Sequence, residues 1–202
     1  MVAMIPVAAQ PEPPTFDAMV RRKGLAHLAK KGFSPNQPLP PKADITPYWR
    51  ACLPDLHQAY GGVCAYLGIF LERVVGGGSV DHFIAKSTHA GLAYEWSNYR
   101  LACSRMNSRK REYSDVLDPF SMAPDLFFLE LASGRIYPNP DLDAPQMRRV
   151  KKTIKRLDLD DPLCRDLRTR WYQDYLEHSL PAVYLKEKSP FVWYEADRQG
   201  LL

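Results

Sequence analysis

The spacing of hydrophobic and polar positions changes several times along the chain, and each change marks an element. Residues 1–14 carry Pro6, Pro11, Pro13 and Pro14 and read as an extended arm. Such an arm either lies on another subunit or folds back on its own domain. Thr15 or Asp17 is placed to cap a short helix running to about Lys31, with Gly32 ending it. Ser34–Lys42 reads as a linker, because prolines at 35, 38, 40 and 41 exclude helix and strand alike. A second helix is expected over Thr46–Tyr60, closed by Gly61-Gly62. The apolar run Val63–Phe70 fits either a strand or the start of a helix, and Gly76-Gly77-Gly78 is a flexible turn.

Further on, Leu126–Leu131 and Arg135–Tyr137 flank Ala132-Ser133-Gly134 and predict a hairpin. Asp143 to about Leu157 has the period of an amphipathic, basic helix. Asp161-Pro162 opens another helix to about Glu177, with Asp as cap and Pro in the first turn. The aromatic tail Phe191-Val192-Trp193-Tyr194 is expected to pack. The domain reading is an arm, helix and Pro-rich linker over 1–45, then one domain over 46–202. Within it, a core covers about 63–120 and a hairpin with helices covers 121–202.

The net charge of +4 is a mild basic bias that permits a polyanionic partner without requiring one. Local clustering is more informative. Arg105, Arg109, Lys110 and Arg111 crowd one stretch; Arg148, Arg149, Lys151, Lys152, Lys155 and Arg156 crowd another. The cysteines at 52, 64, 103 and 164 are scattered, with no CxxC pair. The apolar run 1–9 is too short and lacks the basic flank of a secretory signal, and no stretch has the length of a membrane span. The expectation is a reducing, cytoplasmic setting without structural disulfides or membrane contact.

Chemistry concentrates between residues 80 and 110. Asp81 stands beside His82; Asn98 follows His82 by 16 residues, and Asn107 follows Asn98 by nine. Phosphodiester hydrolysis with a hard metal needs this inventory: oxygen ligands for a divalent cation, an imidazole to activate water and an amide to hold the imidazole. Each residue alone has a plain structural role, as turn former or helix cap. The ordered set carries the argument.

In this order the motifs Cys64-Ala65-Tyr66, Val80-Asp81-His82-Phe83, Tyr94-Glu95-Trp96-Ser97-Asn98, Cys103-Ser104-Arg105-Met106-Asn107 and Leu117-Asp118-Pro119 resemble an HNH endonuclease. The similar branch occurs in bacterial anti-phage systems of Septu and retron type, beside an ATPase partner. The resemblance covers about 63–120 and thins after 140. It implies an α+β fold, a ββα-metal (HNH) core embedded in a mostly helical domain, in which Asp81-His82 would end one strand, Asn98 would sit in the turn before a second strand near Tyr99–Ala102, and Asn107 and Lys110 would share a face of the following helix. His82 would be the general base and Asn98 would orient it through a hydrogen bond. Asp81 and Asn107 would ligate one divalent ion, Mg²⁺ or Mn²⁺. Arg105, Arg109 and Lys110 would clamp phosphates, and Arg148, Lys152 and Lys155 on the basic helix would follow a nucleic-acid backbone. The implied substrate is nucleic acid, with DNA ahead of RNA, and the implied role is the effector nuclease of a defence complex.

Many relatives in that family carry CxxC pairs for a structural zinc. Here the matching positions read Cys64-Ala65-Tyr66-Leu67 and Cys103-Ser104-Arg105-Met106, so one cysteine of each pair is an apolar residue. Two thiolates do not fill the closed tetrahedral site that structural zinc prefers, and structural zinc is expected to be absent. Leu67 and Met106 are expected to pack together instead. The same loss motivates the alternative, an inactive HNH scaffold that binds nucleic acid or a partner protein. His89, in the loop 87–91, is expected to be solvated.

Overall fold

The computed structural model describes residues 6–202; the first five residues of the expected arm lie outside the described residues. It mixes helices with two small antiparallel hairpins, an α+β composition. Its contacts form two compact units, one of residues 9–62 and 71–114, the other of 6–8, 63–70 and 115–202. This division does not coincide with a boundary near residue 45.

In the first unit a π turn, Asp17–Arg21, leads into α1, Arg22–Lys30, which Gly32 ends at φ +73°. Phe16 is fully buried and meets Trp96 and Tyr99 edge-on, at ring distances of 5.6 and 5.7 Å. The chain ahead of it is tied down: Gln10 N donates to the Tyr60 hydroxyl, and Trp96 Nε1 donates to Gln10 O. Arg21 pairs with both Glu12 and Glu95. The Tyr94 ring lies on Gly24 of α1, where any Cβ would come within 2.1 Å of it. A 3₁₀ turn, Tyr48–Cys52, precedes α2, Leu53–Ala59, and Gly61 and Gly62 close that helix at positive φ.

Strands β1, Gly78–His82, and β2, Tyr99–Cys103, pair antiparallel from Gly78↔Cys103 to His82↔Tyr99. Helix α3, Ser104–Lys110, follows β2 without a break. The Pro-rich stretch after α1 is not a loose linker. Leu39 N donates to Ser87 O, Ala90 N to Gln37 O and Gly91 N to Pro35 O, so it straps along the loop after β1. Proline density forbids helix and strand, but the remaining N–H and C=O groups still find partners. Gly91 permits the approach, since a Cβ there would meet Pro35 O at 2.9 Å.

In the second unit β3, Phe127–Glu130, pairs with β4, Arg135–Pro138. Gly134 turns the hairpin at φ +68°, with no room for a Cβ against Arg165 O. Four helices follow: α4, Ala144–Leu157; α5, Pro162–Leu176; α6, Ala182–Lys188; α7, Pro190–Arg198. Asp143 caps α4 through Gln146 N, and Asp161 caps α5 through Leu163 N and Cys164 N. The aromatic tail is therefore helical. Its buried Glu195 accepts from Leu129 N at 2.8 Å and fixes β3. Val63–Phe70 is neither strand nor helix but a buried loop closed by the Val63↔Phe70 bridge. Among the described residues no helix is long and apolar enough to cross a membrane.

Candidate functional site

The end of β1 and the face of α3 meet in the first unit. Asp81, His82 and Asn107 line one cleft of about 220 Å³ together with Lys86, Arg111 and Glu112. This joins three of the four residues singled out from the sequence. It adds three charged residues that the motif did not contain.

His82 is partly buried, edge-on to Trp49 at 4.7 Å and to Tyr99 at 5.2 Å. Its Nε2 lies 3.0 Å from Ala93 O, a carbonyl that can only accept, so Nε2 carries the proton and Nδ1 the free lone pair. The Tyr99 hydroxyl donates to the same carbonyl at 2.7 Å. Burial pushes the imidazole down to about 4, against the Ala93 contact and with help from the charges of Lys86 and Lys110. The ring is neutral at physiological pH and is available as a base at Nδ1.

Asn98 does not hold that ring, contrary to the expected hydrogen bond. Ile84 N donates to its Oδ1 at 2.8 Å, and its Nδ2 donates to Ile84 O and Leu92 O, both at 2.9 Å. The amide bridges the two ends of the 84–92 loop, and Leu92 precedes the Ala93 carbonyl that orients His82. Its influence on the imidazole runs through backbone.

Lys110 is likewise not a surface clamp. It is fully buried, donates to His82 O at 3.1 Å and Phe83 O at 2.8 Å, and stands 3.8 Å from Asp81 Oδ2. A lysine can be this deep only because carbonyls and a carboxylate receive its ammonium. Asp81 is itself 1% exposed and sits opposite Arg100 in the strand register. Arg100 and Lys110 both place their charge over the Phe83 ring, at 5.1 and 5.3 Å.

Asn107 Nδ2 donates to Ser79 Oγ at 3.1 Å and Val80 O at 3.2 Å, which fixes the amide and leaves Oδ1 unused. Asp81 and this Oδ1 are hard oxygen donors on one cleft, a donor set that suits Mg²⁺ or Mn²⁺ rather than a soft metal. Among the described residues no group of three or more His, Cys, Asp or Glu side chains converges on a metal position. Such an ion would take its remaining ligands from water or phosphate.

Arg105 and Arg109 do not line the cleft; Lys86 and Arg111 do. Arg111 follows α3 at φ +48°, a conformation that costs a non-glycine residue about 1–3 kcal/mol. Its adjacency to Lys110 in sequence was the one available signal for it. In the other unit, Lys152 and Arg156 of α4 pair with Asp115, at 2.8 and 3.1 Å, and hold its carboxyl down at about 2. Arg148 and Lys155 are exposed.

Of the positions matched to zinc ligands, Cys64, Leu67 and Met106 are buried and Cys103 is partly exposed. His89 departs from the solvated reading, because its Nδ1 is buried and finds no hydrogen-bond partner among the described residues. The chain matches no protein-family model and no curated protein.

Proposed function

We propose that this chain is a metal-dependent HNH endonuclease that hydrolyses phosphodiester bonds of nucleic acid, with DNA the preferred substrate, acting as the nuclease subunit of an anti-phage complex beside an ATPase. The β1–β2–α3 element is its ββα-metal core. The observation that carries the reading is one cleft bearing a neutral imidazole base, the oxygen donors Asp81 and Asn107, the cations Lys86 and Arg111, and the Glu112 carboxylate. In this reading Asp81 and Asn107 Oδ1 hold one Mg²⁺ or Mn²⁺. When bound, the ion supplies polarisation of the scissile phosphate and stabilisation of the leaving oxygen.

The chain's own residues do the rest. His82 Nδ1 takes a proton from the attacking water, while Ala93 O keeps the ring in the tautomer this requires. Lys86 and Arg111 draw the phosphate into the cleft and offset its charge. Asn98 keeps the 84–92 loop in the shape that presents Ala93 O. Lys110 holds the β1 carbonyls and Asp81 in place from behind.

The Asp81–Lys110 ion pair is the observation on the side of an inactive scaffold, because it already compensates the one carboxylate expected to hold the ion. Incubation of the chain with plasmid DNA and with RNA separates the readings, alone and with any co-purifying ATPase, in Mg²⁺, Mn²⁺ or EDTA. Metal-dependent cleavage that His82→Ala abolishes is expected. Equal products from parent and His82→Ala, or intact substrate in every combination, would refute the nuclease.

A further inference from the structure

A second cleft, of about 350 Å³, adjoins the first. Leu39, Pro40, Pro41 and Lys42 form one wall, and Ser87 belongs to it as well. Lys86 and Glu112 line both clefts, so the two meet at these residues in a single groove. The far wall is the proline strap, whose backbone bonds to the 87–91 loop and fixed proline φ angles hold it in shape before any ligand arrives.

Cations mark the course of the groove. Lys42, Lys86 and Arg111 line it in that order, and among the described residues none of them forms an ion pair. In this unit the non-glycine residues at positive φ are Lys42, at +62°, and Arg111, at +48°. Both are cations and both line the groove. Backbone strain at a surface turn is removed most simply by glycine, so its retention at two charged positions of one groove points to a use for the side chains. Ser87 Oγ, on the same wall, is buried with no hydrogen-bond partner among the described residues.

We infer that this second cleft binds the nucleotide next to the scissile phosphate of a single nucleic-acid strand, with Lys42 on its phosphate and the Leu39–Pro41 surface against its sugar or base. The assignment rests on the nuclease reading for which phosphate is cut. Its test does not need cleavage. The full-length His82→Ala chain is titrated in EDTA, at several salt concentrations, into fluorescein-labelled single-stranded and duplex 20-mers, and anisotropy is read.

Lys42→Glu is expected to weaken single-strand binding by on the order of tenfold and to flatten the salt dependence by about one phosphate contact. Lys42→Arg keeps binding. Lys42→Gly relieves the strain, melts no earlier than its parent and binds as weakly as a chain without that charge. Parental binding by both Lys42→Glu and Lys42→Gly would overturn the inference. So would equal losses in Lys42→Arg and Lys42→Glu, or no binding by the His82→Ala parent. If the wild-type chain cleaves nothing but binding still depends on Lys42, the groove stands and the nuclease reading falls. If it cleaves and Lys42 is indifferent, only the groove falls.

Discussion

Replacing Lys110 by methionine separates a buried strut from a phosphate clamp. Methionine fills the aliphatic path of lysine without its charge. The change removes the ammonium that stands 3.8 Å from Asp81, a carboxylate only 1% exposed. Removing one partner of a buried pair costs about 3–5 kcal/mol. The carbonyls of His82 and Phe83 also lose a donor. A total near 4 kcal/mol is a large share of the ~5–15 kcal/mol that holds a domain folded. With an m-value of about 2 kcal/mol/M, the urea midpoint moves down by about 2 M. The intrinsic fluorescence of the four tryptophans reports the transition. The double variant Asp81→Asn/Lys110→Met removes the Asp81 charge as well and should regain about 2 kcal/mol relative to Lys110→Met alone. A single variant within about 1 kcal/mol of the parent would refute the argument. So would a double variant no more stable than the single, or weakened nucleic-acid binding at unchanged stability, which would return Lys110 to the role of a clamp.

Four further outcomes are expected. Below about pH 6.5 an unfolded imidazole binds a proton that folded His82 refuses until about pH 4, so its contribution is complete at neutral pH, falls through that window and is flat below it; in EDTA the parent should lose about 3 kcal/mol more than His82→Asn between pH 7 and 4, and parallel urea midpoints would contradict this. Gly24→Ala drives a methyl into the Tyr94 ring, and the overpacking cost of about 1–3 kcal/mol outweighs a helix gain of up to about 1, so a raised melting temperature would show that the ring does not rest there. Metal analysis of the purified chain should find no structural zinc, and about one zinc per chain would sink that expectation. Because Lys110 already compensates Asp81, Mg²⁺ should bind the free chain weakly and more tightly once an oligonucleotide is present, and identical calorimetric affinities with and without oligonucleotide would exclude this coupling.

What was legible from sequence was local. Asp161-Pro162 and Asp143 start helices because cap and proline satisfy or remove N–H groups within one turn. The strand ending at His82, the turn holding Asn98 and the helix holding Asn107 lie where the resemblance of the motifs put them. What escaped was set across long sequence separations. Lys110 on a short basic helix reads as exposed, and its burial rests on groups far back in the sequence, the His82 and Phe83 carbonyls and the Asp81 carboxylate. Val63–Phe70 has the composition of a strand, but no neighbouring strand supplies a ladder, so it closes on itself. Pro181 and Pro190 open two helices, yet the aromatic run that follows Pro190 reads only as something to be packed.

The two amides of the motif divide one task by how many of their atoms remain uncommitted. Asn98 has both ends of its amide engaged by backbone, at Ile84 and Leu92, so it can act on His82 only by fixing the loop that carries Ala93 O. Asn107 commits Nδ2 alone, so the same bonds that fix it turn its oxygen into a presented donor. The cations split in the same way. Lys110 is satisfied inside the protein and shapes the site; Lys86 and Arg111 stand on the cleft with charge to offer. A sequence motif records which residues are present, but their roles depend on which atoms the fold has already used. In the nuclease we propose, that division would leave proton transfer to His82 Nδ1, ion ligation to Asp81 and Asn107 Oδ1, and phosphate attraction to Lys86 and Arg111.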